Sequence, residues 1–276
     1  MPSARVLAEP RPPRRWRPSP LVAASVALHG VALALAVASP RRRRAALGLV
    51  VADHLVLAAA GLWPRSRLLG PNRLRLGAGA RRRGEVALTF DDGPDPRVTP
   101  RVLDILERHG ARASFFCIGE KVERWGGLTA EIARRGHRVE NHTFAHLKRF
   151  SVLPPAAMAR EIDRAQEAIG RAVGRTPRLF RPPAGLRNPW LDPLLAARDL
   201  ELVTWTRRAY DTVSGRPGRV VARLLAGLGA GDILLLHDGA GAEGPTGVPV
   251  ILEALPRVLE RLEAEGLRAV PVPDGE

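Results

Sequence analysis

The sequence predicts an α/β fold: a distorted (β/α) barrel of about seven strand–helix units, preceded by an N-terminal hydrophobic helical hairpin. Three observations predict it. From Gly84 onward, short apolar or β-branched runs alternate with amphipathic stretches, the pattern of parallel strands joined by helical crossovers. That part spans about 190 residues, short for a full eightfold barrel of roughly 250, so an incomplete or distorted one fits better. Before Gly84 stand two apolar runs of 19 residues each.

The first run, Leu21 to Ser39, carries no formal charge, and Arg41 to Arg44 follow it. The second, Ala45 to Trp63, holds Asp53 and His54 in its middle. About 20 apolar residues cross the hydrocarbon layer, so 21–39 and 45–63 are candidate transmembrane helices. Trp16 and Trp63 sit at their outer ends, where indoles favour the interface. A cleaved signal peptide is the rival, with Val37-Ala38-Ser39 resembling its small-residue site; a second apolar run straight after it favours an anchored hairpin. Asp53 and His54 are costly in lipid, so the second run could instead dip into the bilayer or pack on the soluble part. The reading is a membrane protein, of a bacterial inner membrane, held by residues 1–84. Its side is left open. Arginines of the tail (Arg5, Arg11, Arg14, Arg15, Arg17) and of segment 64–83 place both termini in the cytoplasm if both runs span, but the soluble part outside if only the first does.

Residues 85–276 form the second unit. Its candidate strands are Val86–Phe90, Ala113–Cys117, His137–Glu140, Arg178–Arg181, Leu200–Thr204, Asp232–Leu236 and Arg268–Val272. Helical periodicity lies between them. In Pro100–Arg108, Val102, Leu103, Ile105 and Leu106 share one face, and Met158–Val173 and Val248–Glu265 behave similarly.

Charge and cysteine content exclude other classes. Residues 1–84 carry sixteen arginines, no lysine and two acids, hence +14 of the formal +15. The balanced remainder lacks the electrostatic footprint of a nucleic-acid-binding domain. Cys117 is the sole cysteine, which rules out a disulfide-stapled fold and a thiolate-rich zinc site.

In such barrels the chemistry sits at the C-terminal ends of the strands. The first strand ends in Thr89-Phe90-Asp91-Asp92-Gly93-Pro94 and the third in Asn141-His142-Thr143-Phe144-Ala145-His146. The fourth ends in Phe180-Arg181-Pro182-Pro183-Ala184-Gly185. The fifth runs into Trp205 and later Asp211, and the sixth ends in Leu235-Leu236-His237-Asp238. Each piece has an ordinary reading: a turn, surface histidines, a loop arginine, a core histidine. Five consecutive strand ends presenting acids, imidazoles and an arginine to one rim make those readings hold only by joint coincidence.

These residues resemble the polysaccharide deacetylases, the NodB-homology domain of carbohydrate esterase family 4. The resemblance covers about Gly84 to Val272. It rests most firmly on Thr89-Phe90-Asp91-Asp92-Gly93, His142-x-x-x-His146 and Arg181-Pro182-Pro183-x-Gly185. It implies a hydrolase of carbon–nitrogen, non-peptide bonds that removes acetyl groups from N-acetylated sugars of a polysaccharide or glycolipid. It also implies one divalent metal ion on Asp92, His142 and His146. Zinc suits that ligand set, though carboxylate and imidazole discriminate weakly among divalent ions. Asp91 matches the general base, Arg181 the residue that orients it, His237 the general acid, Asp211 the carboxylate that keeps this imidazole charged, and the Ala184 amide an oxyanion donor. Departures accompany the match. Position 184 is usually aromatic, and Arg208 and Thr212 stand where the family has Asp and Trp.

Arg187, Arg207 and Arg208 are candidates to meet an anionic head group. The glycine-rich segment Asp238–Pro249 is a candidate mobile loop over the substrate. The alternatives are a related amide hydrolase acting on a small or lipid-linked substrate and an inactive carbohydrate-binding relic. The expected partner is the glycan or glycolipid, with the membrane through residues 1–84 and no nucleic acid. The sequence sets no oligomeric state.

Overall fold

A computed structural model describes residues 15–275. Arg5, Arg11 and Arg14, counted among the tail arginines, lie outside the described residues. Two long helices open the chain, α1 (Pro20–Ala38) and α2 (Arg43–Leu62), followed by the short α3 (Ala78–Arg82). The barrel then runs β1 (Glu85–Asp91), α4 (Thr99–Arg108), β2 (Ser114–Cys117), α5 (Gly119–Arg124), α6 (Gly126–Arg134) and β3 (Arg138–Asn141). It continues through α7 (Pro155–Val173), β4 (Leu179–Phe180), α8 (Leu191–Ala196), β5 (Glu201–Leu202) and β6 (Arg207–Arg208). It ends with α9 (Pro217–Leu225), β7 (Ile233–His237), α10 (Val250–Ala264) and β8 (Arg268–Val270).

The strands make one parallel sheet in the order β5-β4-β3-β2-β1-β7-β6. On one flank β1 takes two partners at different heights: β8 along Glu85–Ala87 and β2 along Thr89–Asp91. A curled parallel sheet is buried on both faces, so its central strands read as continuous apolar runs, as in Ile233-Leu234-Leu235-Leu236. Between sheet and helices, Leu88, Phe90, Phe115, Leu234 and Leu236 meet Val102 and Leu106 of α4 and Leu255 of α10. Each such side chain contributes about 1.5–3 kcal/mol by burial. Inside the curl, Ala87, Phe116, Leu179, Val203 and Ile233 form a second cluster.

All seven predicted strands are present within a residue or two. The addition is β6, whose residues Arg207 and Arg208 have no apolar signature but pair with Leu234 and Leu235. α7 begins three residues before the predicted Met158 and stops at Gly174, whose φ of 67° is the left-handed cap that glycine adopts without strain.

α1 and α2 match the two apolar runs in place and length, and both are long and apolar enough to cross a membrane. α2 packs along α1, and large apolar side chains such as Val26, Leu33, Val37, Leu47 and Leu55 lie mostly exposed on their outer faces. The segment that follows is no loose connection. Arg73 donates its N–H to the Leu202 carbonyl (2.9 Å) and accepts from Thr204 (3.0 Å), and Leu76 donates to Gly231 (2.8 Å). Arg75 forms an ion pair with Asp232 at 2.8 Å. Residues 73–76 thus lie in the seam between the two ends of the sheet, with Leu76 buried in the inner cluster. The hairpin itself is tied to the barrel. The Trp16 indole donates to Asp192 (3.0 Å), the Ser19 hydroxyl to the Leu68 carbonyl (2.6 Å), and the Arg187 N–H to the Gly61 carbonyl (3.1 Å). Gly61 must be glycine there, because a Cβ would sit 2.1 Å from the Arg187 oxygen.

Candidate active site

The residues singled out from the sequence converge at the C-terminal ends of β1, β3, β4 and β7. Asp91 is the last residue of β1, and Asp92 leaves the strand with φ 71°. An extended strand would point consecutive carboxylates to opposite faces. The left-handed turn at Asp92 itself, just before Gly93-Pro94, brings both to one side. His142 follows β3, and His146 reaches the same point through a tight loop, with Thr143 at φ 65° and His146 at φ 48°. Non-glycine residues in this region cost about 1–3 kcal/mol each and persist where surrounding structure over-determines them.

That determination is visible. The Asn141 side chain donates to the Ile162 carbonyl (3.0 Å) and to Gln166 (2.8 Å) of α7, and accepts from the Thr143 N–H (2.8 Å). Glu161 accepts from the Ala145 N–H (2.9 Å), and Gly119 and Glu120 at the start of α5 donate to the carbonyls of Thr143 and Phe144.

Asp92 Oδ1 is buried and makes no hydrogen bond. It faces His142 Nε2 at 3.4 Å and His146 Nε2 at 3.2 Å, and one donor atom from each of the three residues lies within 4.8 Å of the others. His142 Nδ1 lies 2.7 Å from the Arg181 carbonyl, which fixes the proton on Nδ1 and leaves Nε2 as a lone-pair donor. A buried carboxylate oxygen with no proton to accept, facing two imidazole nitrogens, is the donor set of a divalent cation with open positions. The residues therefore fit a metal.

Burial would raise the Asp92 carboxyl, but the adjacent His142 imidazole and the charges of His142, His146 and His237 hold it well below the carboxylate range. Burial works against charging His142, yet Asp91 and Asp92 raise it above the ordinary imidazole value. Burial and the charge of His142 lower His146.

Beside this cluster, Asp91 Oδ1 accepts from Arg181 Nη1 at 2.6 Å, and its Oδ2 lies 3.7 Å from His142 Nε2. Arg181 is fully buried. It donates also to Thr89 Oγ1 (2.9 Å) and to the carbonyls of Val203 (3.0 Å) and Thr204 (3.1 Å), and its guanidinium lies 4.0 Å over the Phe116 ring. Each nitrogen of that fork donates, so its aim at Asp91 is fixed. Across the site, Asp211 holds His237 at two points, Oδ1 to Nδ1 and Oδ2 to the backbone N–H, each at 2.8 Å. Burial would lower the His237 imidazole; the hydrogen bond and charge of fully buried Asp211, with Asp91 and Asp92, raise it. The segment from Trp205 to Thr212 thus keeps its carboxylate on the imidazole despite Arg208 and Thr212. Ala184 sits exposed on the rim at φ 55° in the turn Pro183–Gly185.

The head-group reading fails for two of the three arginines, which are engaged within the fold. Arg187 is buried and donates to the carbonyls of Ser66, Gly70 and Pro71, closing the connection after α2. Arg207 pairs with Asp232 at 3.1 Å and donates to the carbonyls of Ala226 and Gly227. Arg208 lies over the Trp205 and Tyr210 rings. Sequence reasoning gave no role to two further groups. Lys121 Nζ donates to the Asp92 carbonyl at 2.6 Å. Asp238, buried behind the site, accepts from Thr99 Oγ1 at 2.6 Å, and its burial pushes its carboxyl up to about 7. Asp238 was visible as the residue after His237; Lys121 carries no sequence signal.

Comparison with known proteins identifies the family. The sequence pattern of the polysaccharide deacetylases matches residues 78–205. A peptidoglycan-N-acetylglucosamine deacetylase of Bacillus cereus is 34% identical over 189 residues, covering 68% of this chain and 85% of that protein. A chitooligosaccharide deacetylase of Bradyrhizobium sp. is 36% identical over 200 residues, covering 68% of this chain and 89% of that one. A solved peptidoglycan N-acetylglucosamine deacetylase, in complex with an N-oxidanyl-benzamide, superposes with a TM-score of 0.66 at 27% identity over 73% of this chain and 91% of that one. The chain belongs to the polysaccharide deacetylase family, the NodB-homology enzymes of carbohydrate esterase family 4, hydrolases of carbon–nitrogen bonds other than peptide bonds.

Proposed function

We propose that the protein removes the acetyl group from N-acetylated sugars of a polysaccharide or glycolipid in a metal-dependent reaction, at a membrane to which residues 1–84 anchor it. The observation that carries the reading is the pairing of two carboxylates with opposite tasks. Asp92 faces two imidazole nitrogens, and Asp91, beside it, has one oxygen held by Arg181 and the other toward the same cluster. Asp92, His142 and His146 would hold one divalent ion, zinc by the nature of the donors, and that ion would supply Lewis acidity at the acetyl carbonyl. Asp91 takes the proton of the attacking water as general base. Arg181 keeps Asp91 in position and, being fixed by four acceptors, spends none of the reaction on reorganising. His237 gives a proton to the departing sugar nitrogen, and Asp211 keeps that imidazole charged and oriented. The Ala184 N–H is the chain's own donor to the oxyanion. With alanine at 184 no ring stacks on the sugar there, so binding rests on polar contacts and on a substrate already close to the membrane.

The supporting relatives are named as deacetylases of peptidoglycan and of chitooligosaccharide, so both substrates belong in the first assay. Acetate release is measured from N-acetylated glycans and glycolipids with and without chelator. Asp91→Asn is expected to lower turnover by at least about 100-fold while retaining bound metal. Equal acetate release by the variant and the unaltered protein overturns the assignment.

A further inference from the structure

The hairpin carries a second constellation of ligating side chains that the barrel chemistry does not use. Asp53 of α2 is buried against α1 and accepts from the Ser25 hydroxyl at 2.7 Å. His29 of α1 and His54 of α2 approach each other edge to face, with ring centroids 5.2 Å apart. One donor atom from each of His29, Asp53 and His54 lies within 4.8 Å of the other two.

Both imidazoles are held by their own helices. His29 Nδ1 lies 2.8 Å from the Ser25 carbonyl, and His54 Nδ1 lies 2.8 Å from the Val50 carbonyl, each one turn back. A backbone carbonyl on Nδ1 places the proton there and leaves Nε2 with its lone pair, the arrangement that orients a ligating imidazole. His142 in the barrel is held in the same way, by the Arg181 carbonyl.

The carboxylate adds an energetic argument. Neither run 21–39 nor run 45–63 contains a lysine or arginine. Asp53 accepts one hydrogen bond, from the Ser25 hydroxyl, while His29 Nδ1, 3.7 Å away, is committed to the Ser25 carbonyl, between two helices whose other faces are apolar. A charge in such surroundings is costly unless it is paired or coordinates a metal.

We propose that His29, Asp53 and His54 bind a second divalent metal ion of the zinc class, which staples α1 to α2. Two imidazoles and one carboxylate, each with an outer hydrogen bond, leave coordination open beyond the three protein donors. The site is separate in sequence and structure from Asp92, His142 and His146, and it stands whether or not the barrel performs the proposed reaction.

The test uses the full chain in detergent micelles, equilibrated with zinc alone, desalted and analysed for bound metal. The unaltered protein is expected to hold two equivalents. Replacing the barrel ligands (His142→Ala with His146→Ala) is expected to leave one, and adding His29→Leu with His54→Leu to leave none. Leucine suits an apolar helix, so these last changes preserve the hairpin, and circular dichroism checks its helicity. On the unaltered barrel, the two leucine substitutions are expected to keep one equivalent of zinc and undiminished acetate release. The barrel-ligand variant, whose hairpin is untouched, decides the matter: if it binds no zinc, the hairpin site does not exist. Retention of its full equivalent after the leucine substitutions overturns the ligand assignment. A barrel that fails to bind metal or release acetate shows separately, as one equivalent fewer in the unaltered protein.

Discussion

Replacing Arg181 probes the link between fold and chemistry most directly. Its guanidinium has no exposed surface and serves Asp91, Thr89, Val203 and Thr204 at 2.6–3.1 Å. Arg181→Met removes one partner of a buried ion pair, a change that costs about 3–5 kcal/mol. It also strips two carbonyls of a donor, at about 1 kcal/mol each. A domain of this kind is stable by about 5–15 kcal/mol, so the methionine variant is expected near the edge of folding. Arg181→Lys keeps the charge beside Asp91 and loses the planar fork, so only the neutral hydrogen bonds go, at about 2 kcal/mol. That variant folds and carries the activity test: with Asp91 free to turn, kcat/KM is expected to fall about 100-fold. Urea unfolding gives the two stabilities, and acetate release from a chitooligomer gives the rate. If Arg181→Met unfolds within 1 kcal/mol of the unaltered protein, or Arg181→Lys keeps its kcat/KM, the buried fork neither holds the barrel together nor positions the base.

Three further outcomes follow from the same geometry. As the proposed general acid His237 must be protonated, so kcat/KM is expected to fall as pH rises through its raised pKa; Asp211→Asn removes the charge that raises it and is expected to move the alkaline limb of the pH profile to lower pH. His137 is buried, and burial with the charges of Arg112 and Arg135 lowers its imidazole to about 4, while Nδ1 accepts from the Ala113 N–H. An unfolded histidine protonates below about 6.5, so between about 6.5 and 4 the unfolded chain takes up a proton that the folded one refuses. Stability therefore drops as pH falls through that window, by on the order of 3 kcal/mol, and urea unfolding of His137→Phe should lack this component. At Gly239 a Cβ would lie 1.9 Å from the Asp92 carbonyl oxygen, so Gly239→Ala is expected to displace Asp92 and weaken metal retention at least tenfold, measured by zinc competition with a chromogenic chelator.

Much of this was legible in the chain because period and chemistry agreed. Buried parallel strands must be apolar on both faces, and Ile233-Leu234-Leu235-Leu236 declares one without help. β6 was not legible, because two arginines pair by backbone alone at an edge beside an apolar strand. The convergence of Asp91, Asp92, His142, His146, Arg181, Asp211 and His237 was legible from their place at strand ends, since the fold gives those ends a common rim. The turn that joins the carboxylates was not legible: Asp92 itself adopts the left-handed conformation, which its side-chain type permits and no pattern announces. Long-range partners were invisible for a different reason. That Arg187 caps carbonyls of 66–71, and that Arg73 to Leu76 occupy the sheet seam, depends on where two distant segments meet, and an arginine reads alike at a surface and in a crevice.

That seam filling sets what the proposed membrane attachment would mean for this protein. Many tethered enzymes hang from a slack chain and sweep a wide volume. Here the peptide leaving α2 is bonded to the barrel from Arg187 to Gly231, so no free tether separates the hairpin from the barrel. Anchored in this way, the catalytic rim would stand at a set height and tilt above the bilayer. Substrate would then be selected by where its acetamido group hangs as well as by what it is. Lengthening the connection would change which glycans are reached before it changed how fast any one of them reacts.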